Sequence, residues 1–154
     1  MVGVKIGKCV SVFEIKWYIC NEITTTNMMN DNKQMQKAAD NIRVLAVSMV
    51  EKANSGHPGG ALGGADFMNV LFSEYMVYDP EDATWAGRDR FYLDPGHMSP
   101  MLYSTLALVG RFTLDELKSF RQWGSPTPGH PERCVERGVE NPPCLLSDNG
   151  PCYI

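Results

Sequence analysis

From residue 33 onward, apolar side chains recur at helical spacing. Met35, Ala38, Ala39, Ile42, Leu45, Ala46, Met49, Val50 and Ala53 fall three and four apart, which places them on one helix face. Gly56 is the expected stop. His57 to Gly64 contains four glycines and reads as a turn. A second helix is expected from about Ala65 to Tyr78, with Met68, Leu71, Phe72, Tyr75 and Met76 inward and Asp79-Pro80 closing it. Phe67, Phe72 and Tyr75, also at helical spacing, are expected in the core.

The next segment changes period. Arg90 to Leu93 is short and apolar and predicts a buried strand ending in the turn Asp94-Pro95-Gly96-His97. Ser99 is placed to cap a third helix with Pro100 at its first position. That helix carries Leu102, Tyr103, Leu106 and Leu108. Thr113 and Glu116 form a T-x-x-E capping box for a short helix through Phe120, and Gly124 to Pro131 reads as loop. Helices around one strand are the start of an α/β pattern, mostly helical with an incomplete parallel sheet. One strand makes no sheet, so loose packing of the helix faces is the expectation.

Three segments differ in character. Residues 1–28 are rich in aromatic and β-branched residues, and a short strand or hairpin is expected there. They precede Met28-Met29 and a polar stretch, so they read as a non-native extension; residues 29–141 are the body, and residues 142–154 are an unrelated tail.

Composition adds exclusions rather than identity. The 154 residues fit one domain, at 44% hydrophobic and 21% charged. The formal net charge of −4 gives no basic footprint for nucleic acid. No apolar run reaches the ~18 residues of a membrane span. Lys5, Lys8, Glu14 and Lys16 break up any leader-like segment. The five cysteines show neither a CxxC pair nor ligand spacing with histidine. They read as free thiols of a reducing cytoplasm.

The candidate chemistry lies in three histidines, the only ones in the chain. Each follows a glycine: Gly56-His57, Gly96-His97 and Gly129-His130. Glycine lets backbone approach a ligand closely, and imidazole donates, accepts or carries a proton near neutral pH. Such loops suit polyhydroxylated or phosphorylated ligands, although for one loop histidine alone a local structural role is as good a reading. A zinc triad stays open on histidine number, yet no carboxylate pattern supports it; we assign no metal ligand. Arg121 near the third loop reads equally as a phosphate ligand or a surface arginine, and Asp89-Arg90 as a structural turn.

Three blocks, in order, resemble those of transketolases: Lys52-Ala53-Asn54-Ser55-Gly56-His57-Pro58-Gly59; Arg88-Asp89-Arg90-Phe91 with Gly96-His97; and Phe120 to Ser125 continuing through Thr127 to Glu132. The last stretch fits transketolases better than the related deoxyxylulose-phosphate synthases. The resemblance implies a partial thiamine-diphosphate-binding fold from a homodimeric, cytoplasmic enzyme of the pentose phosphate pathway. Such enzymes move a two-carbon ketol unit between sugar phosphates with thiamine diphosphate and Mg²⁺. It implies that His97 contacts the cofactor near its diphosphate. His57 and His130 would line the substrate channel as substrate-binding and catalytic groups. After Asn141 the family's glycine-rich cofactor loop is replaced by an unrelated sequence, for which a frameshift is one account, and the metal-binding block is missing. The expectation is therefore a fragment inactive alone. The alternatives are a small subunit of a split enzyme or a non-catalytic interaction module.

Overall fold

The structure, a computed structural model, describes residues 32–141. The strand expected before Met28 and the tail after Asn141 lie outside them. The architecture is helix on helix: α1 (Asn32–Ala53), α2 (Pro58–Val70), α3 (Ser99–Leu108) and α4 (Leu114–Lys118). Among the described residues none is in a strand; one isolated bridge joins Cys134 and Val139. No described helix is long and apolar enough to cross a membrane.

α3 is the centre. Its residues from Ser99 to Leu106 are all buried, as expected of a helix enclosed on every side. α1 lays Ala39, Ile42, Ala46 and Met49 against it and against α2. These are the expected inward positions of α1. Arg43 crosses from α1 to α2, donating from Nε to the Leu62 carbonyl at 3.1 Å and pairing with Asp66. Asn69 Nδ2 donates to the Met35 carbonyl at 3.0 Å.

The glycine-rich stretch expected as a turn is the first half of α2. Pro58 occupies the first turn, where a missing N–H costs nothing. Gly60 and Gly64 lie one turn apart and face α3. A Cβ on Gly60 would lie 2.6 Å from Met98 Cγ, and one on Gly64 2.6 Å from Met101 Sδ. Glycine in a helix interior costs about 1 kcal/mol relative to alanine. Close approach of α3, with Ala61 and Ala65 fully buried between, offsets that cost. Local propensity alone could not register it.

Other expectations are corrected. α2 passes into a π-helical turn, Leu71–Tyr75, and ends there rather than at Asp79-Pro80. Phe72 is buried, but Phe67 is 63% and Tyr75 74% exposed. The wider turn rotates Tyr75 off the inward face. α1 ends at Ala53, with Asn54 rather than Gly56 first taking the left-handed conformation (φ 49°). The Ser99 hydroxyl does not cap α3; it donates to the Gly129 carbonyl at 2.6 Å. The Thr113–Glu116 capping box is present as expected, and its helix ends at Lys118 rather than Phe120.

Arg90 to Leu93 is extended but has no strand beside it. Leu93 N–H instead donates to Asn141 Oδ1 at 3.2 Å, and Asn141 Nδ2 donates to the Leu93 carbonyl at 2.8 Å. One side-chain amide thus replaces one rung of a ladder. Next to it Arg88 Nε donates to Glu140 Oε1 at 2.8 Å in a buried ion pair, and Arg88 Nη1 donates to the Trp85 carbonyl at 2.9 Å. Asp89 exchanges hydrogen bonds with Val77, the structural role read from sequence.

Candidate functional site

Three loops meet at one end of the helical body, and each carries one glycine-histidine pair. The first is Ser55 to His57, between α1 and α2. Gly56 has φ 133°, which only glycine adopts readily. A Cβ there would stand 3.1 Å from Val50 Cγ2 and 3.6 Å from the Phe120 ring. His57 then serves as the extended N-cap residue of α2, with no side-chain cap bond, so its imidazole is not committed to capping.

The second loop is the single 3₁₀ turn Gly96–Met98, which delivers the chain into α3. It places the His97 ring edge-on to that of His57, with centroids 5.0 Å apart. The third loop runs from Gly124 to Pro131 and is held from beneath by buried side chains. Tyr103 donates its hydroxyl to the Pro128 carbonyl at 3.0 Å, Ser99 donates to Gly129, and Thr127 Oγ1 donates to the Glu116 carbonyl at 3.0 Å. Burial, with a smaller contribution from the charge of Glu132, pushes the Tyr103 phenol above its ordinary range, so it remains a donor throughout the physiological interval. The loop brings His130 over Gly96, where a Cβ would lie 3.3 Å from His130 Cγ.

The three sequence-selected histidines, His57, His97 and His130, therefore share one face, and all three are exposed. Arg121 lies beside them. It donates from Nη1 to Ser55 Oγ at 2.9 Å and lies against Gly129. Among the described residues no group of three or more His, Cys, Asp or Glu side chains is arranged to hold a metal ion. Sequence reading missed Ser99, Tyr103 and Asn141 as supports for these loops. Their partners are backbone atoms 25 to 48 residues away, and no local signal marks such a bond.

Exposed imidazoles over a rigid helical floor form a polar binding face of the kind found on ligand-binding domains. Comparison identifies which kind. Residues 34–146 match the family model for the transketolase thiamine diphosphate binding domain. A transketolase of Staphylococcus aureus is 47% identical over 109 residues, covering 71% of this chain and 16% of that protein. Among solved structures, a Pichia stipitis transketolase in complex with sedoheptulose-7-phosphate superposes with a TM-score of 0.62 at 47% identity, covering 68% of this chain and 16% of that one. The transketolase of Campylobacter jejuni gives 0.64 at 41%, covering 73% and 18%. The chain belongs to the transketolase family. The matched stretch is about a sixth of its relatives' length.

Proposed function

We propose that this chain supplies part of the active site of ketol transfer between sugar phosphates, with His57 and His130 toward the sugar and His97 toward the cofactor diphosphate. The supporting observation is the convergence of all three imidazoles on one exposed face, His57 and His97 in ring contact at 5.0 Å. The Pichia stipitis relative bound to a ketose phosphate supports the substrate class. When bound, thiamine diphosphate supplies the carbon nucleophile that takes up the two-carbon unit. The residues of this chain hold hydroxyls, and neutral imidazoles at His57 and His130 accept and return protons as oxygen charge develops.

The described residues suit one edge of the cofactor. They offer no ligand set for the Mg²⁺ that accompanies it in the family, and no step is assigned to a metal here. The complete site then requires further family segments and a homodimer in the cytoplasm. By itself the chain is expected to be inactive. Micromolar affinity corresponds to about −8 kcal/mol, and one imidazole with a few backbone donors contributes only about 1 kcal/mol net per hydrogen bond.

Two titrations of the full chain test this. Calorimetry with thiamine diphosphate and Mg²⁺ at micromolar concentration should be silent. Nuclear magnetic resonance at millimolar ligand should shift the His97 ring with thiamine diphosphate, and the His57 and His130 rings with a ketose phosphate. Tight Mg²⁺-dependent binding would refute the incomplete site, and the absence of any histidine response at millimolar ligand would refute the roles.

A further inference from the structure

Arg121 has an unusual backbone for its residue type. It is one of two non-glycine residues with positive φ among the described residues, at 60°, a conformation that side chains with a Cβ rarely adopt. Its own N–H donates to the Thr127 carbonyl at 3.0 Å, which closes the base of the third loop. The left-handed turn sends its side chain back across the loops. Nη1 reaches Ser55 Oγ at 2.9 Å, 66 residues away, and the guanidinium lies flat against Gly129. A Cβ on Gly129 would come within 2.7 Å of Nε and 3.1 Å of Nη2. Ser55 stands two residues before His57, and Gly129 immediately before His130.

We propose that Arg121 is a positioning residue that couples the His57 loop to the His130 loop, rather than a phosphate ligand. A planar guanidinium is suited to this: one edge donates to Ser55 while its face covers the glycine. Lysine has neither the plane nor the fork. Gly129 is then required for contact with Arg121 as well as for its own backbone. The coupling is a property of the fold and stands apart from ketol transfer; only its catalytic consequence, holding two imidazoles at a fixed separation, rests on the function proposed above.

A double-mutant cycle read at a distant nucleus tests the coupling. In the full chain, Gly129→Ala should displace the guanidinium and move the His57 ring resonances. In an Arg121→Ala background the same substitution should leave His57 in place, because the connection is already gone. Arg121→Lys should behave as Arg121→Ala. The reciprocal pair is Ser55→Ala read at the His130 ring in the same two backgrounds, and it serves if Gly129→Ala does not fold. Two results overturn the proposal: a His57 response that persists without Arg121, which would route the coupling through the His57–His97–Gly96–His130 contacts, or no response in the wild-type background.

Discussion

The helical body and the loop face both use glycine, for opposite ends. In the body, Gly60 and Gly64 face Met98 and Met101, and the missing side chains let two helices close on each other. At the loop face, Gly56, Gly96 and Gly129 make room for the Phe120 ring, the His130 imidazole and the Arg121 guanidinium. In the first region the result is burial, in the second an exposed set of polar groups on a fixed backbone. A glycine therefore indicates close approach, and only its neighbours tell whether the approaching group belongs to the core or to a site.

This contrast can be broken by substitution. The largest effect is expected at the edge of the body. Glu140→Ala leaves Arg88 charged and buried without its partner and should lower stability by about 3–5 kcal/mol, measured by denaturant unfolding. Within α2 the glycines themselves can be set against each other. Gly64→Val forces a side chain onto buried Met101 and should cost about 1–3 kcal/mol. Gly63, with nothing near its Cβ position, should tolerate alanine and gain about 0.5–1 kcal/mol. Equal responses at the two positions would mean that glycine in α2 is not there for packing.

A smaller effect is expected at the capping box. Thr113→Ala should cost about 1 kcal/mol by thermal melting. Hydrogen bonding from the Thr113 backbone N–H, against some desolvation and with help from the Thr113 hydroxyl and Arg137, holds the Glu116 carboxyl below its ordinary range. A depressed folded-state value stabilises above the unfolded value, about 4.3. That contribution is lost as pH falls through the folded value. Glu116→Gln should therefore flatten the stability profile below about pH 4.3 and leave its shape unchanged at neutral pH.

The periodic elements were legible in the sequence, and so were the three histidines. α1 and its inward face follow from apolar spacing, and the capping box from Thr113 and Glu116. The site's residues stood out because each histidine follows a glycine. What was not legible depends on distant partners. The His57 to Gly64 stretch forms a helix because α3 rests on it. Arg90 to Leu93 has a strand's composition, but among the described residues its hydrogen-bond partner is one asparagine side chain. Phe67 and Tyr75 lie at helical spacing yet face outward. With Trp123, 84% exposed, they are apolar groups that the described residues leave uncovered, consistent with a chain that matches a sixth of its relatives.

The central claim is that three sequence-distant histidines form one face. Nuclear Overhauser contacts in the full chain test it most directly. The structure requires cross-peaks between the His57 and His97 ring protons, at centroids 5.0 Å apart, and between the His130 ring and the Gly96 α-protons, which lie against it. Observing both would establish the face. Well-resolved histidine rings with neither contact would contradict it.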